Sequence, residues 1–297
     1  MSFDLGAYLQ ARVAAVDAAL EECLPPESDP PAALHRAMRY SVFAGGKRLR
    51  PVLVIAGAEA VGGDAAGVLP AACAMELIHT YSLVHDDLPA MDNDDFRRGL
   101  PTNHKVFGEA MAILAGDALL TLAFRLIADS FRPGLDPERF RDTVADVAEA
   151  AGHGGMVGGQ AADLESEGKP VAADVVDYIH RHKTGALIRT SLRLGARLSG
   201  ATPAQLGALS AAGGALGLAF QIVDDILDVV SSSEELGKTA GKDQAQHKAT
   251  YPAMHGLEVS RARARDLIAE AEAALLPLGA RAEPIRALGR YILERRA

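Results

Sequence analysis

The chain has 297 residues, with 30 Lys and Arg against 39 Asp and Glu, a formal net charge of −9, 49% hydrophobic and 5% aromatic residues. That balance argues against a general nucleic-acid binder, which needs a basic footprint, and two cysteines without CxxC spacing, Cys23 and Cys73, argue against a disulfide framework or a zinc site. The start carries Asp4 and lacks the basic-then-apolar pattern of a signal peptide, and the longest apolar stretch, Ala211 to Val223, falls short of the ~20 residues that span a bilayer, so the expectation is a cytoplasmic protein without stable membrane insertion.

Almost every segment reads as helix, because Ala and Leu dominate and apolar residues recur at spacings of three and four. The first helix runs near Phe3 to Glu22 and stops before Pro25-Pro26. The next begins near Ala32 and breaks near Gly45-Gly46. A third starts at Pro51 and ends at Gly62-Gly63, and the fourth covers Val68 to Asp87. Then follow Glu109 to Ser130, Pro137 to about Leu164, Ala172 to Leu198, Pro203 to Val230, Pro252 to Leu276 and Pro284 to Arg296. Ten helices joined by short Gly/Pro breaks, with no long linker and no repeat, give one all-α domain over 1–297.

Two acidic clusters stand out. The first, His85-Asp86-Asp87-Leu88-Pro89-Ala90-Met91-Asp92-Asn93-Asp94-Asp95, closes the apolar fourth helix, which Pro89 ends. Asp86 and Asp87 fall in the last turn, at the negative end of the helix dipole, and the loop carries Asp92 back towards them. The second is Gln221 to Asp228, in which Asp224 and Asp228 share a helical face, Gln221 lies one turn earlier and Asp225 sits between them. Either cluster taken alone also reads as a solvated helix end. Two clusters, each on a long apolar helix, favour a shared metal site, and oxygen-only ligands suit magnesium.

Cations accompany both clusters. Gly45-Gly46-Lys47-Arg48-Leu49-Arg50-Pro51 is a glycine turn with three cations entering a helix, the makings of an anion site. Arg97-Arg98 follows the first acidic cluster, and Gly237-Lys238-Thr239-Ala240-Gly241-Lys242-Asp243 follows the second. One basic loop alone is ordinarily a solvated surface. A pairing of each acidic cluster with a basic one fits a metal-bridged diphosphate. The spacing is not that of a Walker A loop, and no GxGxxG follows a strand, so ATP and NAD fit poorly. His79 lies seven residues before Asp86 on the same face, where it reads either as a phosphate donor or as a core histidine. Lys183-Thr184 is a weaker phosphate candidate. The glycines of Gly154-Gly155-Met156-Val157-Gly158-Gly159-Gln160 cost a helix about 1 kcal/mol each relative to Ala and imply close packing or a pocket wall.

These motifs in this order resemble the trans-isoprenyl diphosphate synthases, specifically the bacterial farnesyl/geranylgeranyl diphosphate synthase branch. GGKRLRP at 45–51, HDDLPAMDNDDFRRG at 85–99, DDILD at 224–228 and GKTAGKD at 237–243 carry the resemblance. It implies an all-α bundle around a central cavity, usually a homodimer, that joins isopentenyl diphosphate to an allylic diphosphate (dimethylallyl or geranyl). Asp86 and Asp92, with Asp87 nearby, would bind two magnesium ions and Asp224 a third, supported by Asp225 and Asp228. Arg97, Lys183, Thr184, Gln221 and Lys238 would contact the allylic substrate. Lys47, Arg50, His79 and Arg98 would hold isopentenyl diphosphate. In this branch, bulk near Tyr81 and Ser82 limits the product, and a Tyr beside a small Ser looks more like the farnesyl than the geranylgeranyl pattern. Three rivals remain. A terpene cyclase leaves GGKRLRP, His79 and Arg98 unexplained. An HD-type phosphohydrolase, suggested by His85-Asp86 with His79 and His104, leaves the second acidic cluster unexplained. A non-catalytic partner subunit would usually have lost aspartates that this chain keeps.

Overall fold

The apolarity of the long helices is spent on one another. The computed structural model describes residues 3–169, 171–230 and 250–295. In chain order the helices are α1 (Leu5–Cys23), α2 (Ala32–Val42), α3 (Leu49–Ala60), α4 (Leu69–Asp86), α5 (Asn103–Phe107), α6 (Glu109–Asp129), α7 (Pro137–Ala151), α8 (Met156–Ser166), α9 (Ala173–Ile179), α10 (Ala186–Leu198), α11 (Pro203–Val230), α12 (Tyr251–His255), α13 (Leu257–Ala274) and α14 (Glu283–Glu294). The fold is all-α, as the helical periodicity predicts. The exception among the described residues is a ribbon of two two-residue strands, Phe96–Arg97 and Leu100–Pro101. Its turn, Arg98-Gly99, has positive φ at both residues (54° and 78°), the conformation of a two-residue hairpin.

Two predicted helices are interrupted and a third is widened. The span from Pro137 to Leu164 breaks at Gly152 to Gly155, where a Cβ on Gly155 would overlap the Ala150 carbonyl as the chain doubles back. The span from Pro252 to Leu276 breaks at Gly256, whose φ of +82° only glycine adopts readily. The span from Ala172 to Leu198 stays helical but widens into a π-helical turn at His180–Gly185. Such turns often mark functional sites.

Among the described residues the core forms two large clusters that share α3 and α10, and a small one of Val84, Leu88 and Ala112. Val54, Ile55 and Ala58 of α3, with Leu187, Leu194 and Leu198 of α10, face α1, α4, α6 and α7. Val52, Leu53 and Ala56 of α3, with Ile188, Leu192 and Ala196 of α10, face α11, α13 and α14. Within each cluster the residues of one helix mostly recur at three and four, so each helix turns one face to each cluster, as a helix buried on two sides requires. Three segments (66–86, 109–129 and 203–230) are long and apolar enough to cross a membrane, contrary to the sequence expectation. The sequence reading stopped at the nearest aspartates, whereas a spanning window tolerates one or two. Packing consumes much of this apolarity: 67% of the most apolar window is buried in 66–86 and 56% in 203–230, against 39% in 109–129.

α3 and α10 approach through glycine. A Cβ at Gly57 would overlap the Leu192 carbonyl, and one at Gly195 the Val54 carbonyl. Gly207, exposed on α11, has open space around its Cβ position. Gly195→Ala is expected to lower the thermal midpoint by roughly 5 °C through overpacking. Gly207→Ala is expected to leave it unchanged or raise it slightly, since Ala gains up to ~1 kcal/mol of helix propensity. Thermal unfolding of both variants checks the pair.

Candidate active site

The turn before α3 builds a cationic chamber. Gly45, Gly46 and Arg48 all have positive φ, so the chain reverses sharply into the helix. Arg48 is buried and fully used: Nε donates to Asp17 at 2.9 Å, Nη1 to Glu76 at 2.8 Å and Nη2 to the Val42 carbonyl at 2.8 Å. Of the predicted three cations, Arg48 is thus drawn inward, while Lys47 and Arg50 reach the chamber. Both line a cavity of ≈ 710 Å³ together with His79 and Arg98. The hairpin turn delivers Arg98, whose guanidinium donates to the Gly45 carbonyl and fills the space a Cβ at Gly46 would take. Burial pushes Arg50 down to about 10, still charged at neutral pH. Burial and the surrounding arginines hold His79 well below its usual range, so it is neutral and offers one N–H.

A second cavity of ≈ 350 Å³ adjoins the first, and Arg50 and His79 line both. Asp86, Lys183 and Thr184 line it together with Tyr81, Ser82, Met156, Val157 and Leu164. Asp86 is the last residue of α4, and the Asp92 amide donates to its carbonyl at 2.8 Å, so the loop does fold back. Asp87, by contrast, turns to Arg97: Nε lies 2.8 Å and Nη2 2.5 Å from Oδ1. The π-helical turn presents Lys183, whose Nζ lies 2.6 Å from Asp163, and Thr184, which donates to Gln221 Oε1 at 2.8 Å. α8 meets this turn so closely that a Cβ at Gly159 would overlap the Lys183 backbone.

The second acidic cluster divides by residue. Asp224 is half-buried and pairs with Arg295 Nη2 at 2.6 Å; that guanidinium also stacks on Phe220, 4.1 Å from the ring centroid. The sequence reading missed Arg295. It lies just beyond α14, and only the return of α14 to the chamber makes it visible; Tyr291 and Ile292 of that helix line the same wall. Asp225 is buried and takes Tyr251 N at 2.8 Å, Gln221 Nε2 at 3.2 Å and His180 Nε2 at 3.3 Å. Asp228 is buried. Lys238 and its GKTAGKD motif lie outside the described residues.

Among the described residues no three His, Cys, Asp or Glu side chains converge as a metal cluster. The donor chemistry still fits a hard divalent cation. Burial, with repulsion from Asp92 and Asp87, pushes the Asp86 carboxyl up to about 6 against the pull of Lys183 and Arg97. A cation would relieve that excess of negative charge. His85, central to the phosphohydrolase reading, is committed to the Ile113 carbonyl at 3.0 Å, and His104 to Thr102 at 3.1 Å.

The Asp86 shift has a definite sign. A carboxyl whose folded-state value lies above its ordinary 3.8 is destabilising once ionised. Stability should fall as pH rises from about 4 to about 6 and stay lower above that window. In metal-free buffer with EDTA, Asp86→Asn should therefore be more stable than the wild type at pH 7 by about 1–3 kcal/mol. The gain should vanish near pH 4. Denaturant unfolding at several pH values checks it.

Residues 31–274 match the polyprenyl synthetase family. The chain is 52% identical over 250 residues to a farnesyl diphosphate synthase of Geobacillus stearothermophilus, covering 84% of each chain. It is 48% identical over 299 residues to the heterodimeric geranylgeranyl pyrophosphate synthase large subunit 1 of Arabidopsis thaliana, covering 99% of this chain and 80% of that one. A solved FPP/GFPP synthase of Zymomonas mobilis superposes with a TM-score of 0.86 at 38% identity, over 97% of this chain and 98% of that one. With the two chambers and these matches together, the chain belongs to the polyprenyl synthetase family, the all-α prenyltransferases.

Proposed function

We propose that this prenyltransferase condenses isopentenyl diphosphate head-to-tail with dimethylallyl and then geranyl diphosphate to make farnesyl diphosphate. The observation that carries the reading is the pair of adjoining chambers. One is lined by cations, the other by Asp86 and Lys183 together with apolar side chains, and Arg50 and His79 line both. A cyclase acting on a single substrate needs no second cationic chamber.

In this reading Lys47, Arg50, Arg98 and the neutral His79 hold isopentenyl diphosphate. Arg97, Lys183, Thr184 and Gln221, with Lys238, hold the allylic diphosphate. Asp86, Asp87, Asp92 and Asp224 would hold magnesium, three ions in the family pattern, which neutralises charge on the leaving diphosphate when bound. Arg97 and Lys183 are pre-oriented by Asp87 and Asp163 and add fixed positive charge where negative charge develops. As the allylic C1–O bond breaks, its electron pair leaves with the diphosphate. The isopentenyl double bond supplies the pair for the new C–C bond, and the proton lost from the adjacent carbon goes to the diphosphate. Met156, buried in the wall, and Leu164 place apolar surface beside the allylic cation.

Product length follows from the chamber wall. Tyr81 is buried there, its ring edge-on to His85 at 5.8 Å, and Ser82 donates to the His79 carbonyl at 2.9 Å. A tyrosine in the wall supports the fifteen-carbon product over the twenty-carbon alternative, and relatives carry both names. We also propose a homodimer; Ile113 and Leu114, exposed on α6, support an apolar face for it.

Incubation with isopentenyl and dimethylallyl diphosphates plus magnesium, followed by dephosphorylation and chromatography, should yield farnesol. Geranylgeraniol as main product would replace the farnesyl reading, and no prenyl product at all would reject prenyl transfer. EDTA should abolish product formation and excess magnesium restore it. Tyr81→Ala should shift the products to longer chains; an unchanged distribution would reject the role given to that ring.

A further inference from the structure

Gln160 of α8 is unexplained by the roles above. It lines the smaller chamber beside Asp86, Lys183 and Thr184, yet neither its Oε1 nor its Nε2 has a hydrogen-bond partner among the described residues, and both atoms are buried. An orphaned buried amide costs roughly 1–3 kcal/mol, and buried polar groups are almost always paired. Its place is tightly held. Gly159, the preceding residue, is pressed against the Lys183 backbone, and Asp163, three residues on, binds Lys183 Nζ at 2.6 Å. α8 thus carries an unsatisfied amide into the chamber wall beside the π-helical turn.

We propose that Gln160 is a substrate-contacting residue whose amide bridges the two ends of the breaking allylic bond. The inference rests on the prenyl-transfer reading. Heterolysis of the C1–O bond turns a neutral linkage into a cationic carbon and an anionic oxygen, the bond's electron pair going to the diphosphate. An amide has the complementary pair of ends: Nε2–H donates to the departing oxygen, and Oε1 presents its lone pairs to the allylic cation. One group then satisfies both of its orphaned atoms, most fully when the charges have separated. That is differential binding of the transition state. A neutral amide also fits better than a carboxylate, which would repel the diphosphate.

Steady-state kinetics and thermal unfolding of Gln160→Met test this. Methionine has similar length and no hydrogen-bonding amide. The expected result is a kcat lowered by roughly 100-fold, a KM for isopentenyl diphosphate within about twofold of the wild type, and a thermal midpoint equal to or above it. A kcat within about threefold of the wild type would overturn the proposal, as would an activity loss matched by a loss of folding. Gln160→Glu provides the second reading: its charge should raise the KM for the allylic substrate at least about tenfold, and an unchanged KM would also overturn the proposal. A wild type that forms no prenyl product would refute prenyl transfer itself; an active wild type with an equally active Gln160→Met would refute only the role of Gln160.

Discussion

A carboxylate at the end of a buried helix has little water to turn to, and that constraint organises the molecule. α4 and α11 are long, apolar and packed into the core, and each delivers aspartates near its C-terminal end. Charge placed there must be met by charge. Arg97 meets Asp87, and Arg295 meets Asp224. Lys183 is divided, bound to Asp163 while its field reaches Asp86. Asp86 remains under-compensated, and its raised proton affinity is the electrostatic record of that deficit.

The cationic side obeys the same rule in reverse. Arg48, which on the sequence belongs to an exposed basic loop, is withdrawn into a buried pair with Glu76 and Asp17. This withdrawal anchors the loop to α1 and α4 while Lys47 and Arg50 face the chamber. Burial, reinforced by the guanidiniums close by, excludes one more positive charge, which is why His79 stays neutral. The neutral histidine lies where the two chambers join, and it can donate a hydrogen bond without adding to the repulsion.

The helical class and most helix positions were legible in the sequence, since apolar spacing of three and four dictates which face is buried. Both acidic clusters, the glycine-lysine turn and the Arg97-Arg98 pair were legible as well, because local charge density and proline or glycine breaks are read directly along the chain. The interruptions at Gly155 and Gly256 were harder to see. A glycine inside a helical pattern is either a close-packing site or a break, and its neighbours in space decide which.

What the chain alone determined was a set of long apolar helices carrying acids at their ends and cations in the loops beside them. Periodicity and charge are local properties, so sequence order suffices to reveal them. Tertiary packing decided which partner each charge would find. It drew Arg48 inward, folded Arg295 back onto Asp224, widened the turn that presents Lys183 and Thr184, and left the Gln160 amide facing the chamber. Each of these depends on residues distant in sequence brought within hydrogen-bond reach, and electrostatic energy in a buried site depends on that distance and on burial, neither of which is written along the chain.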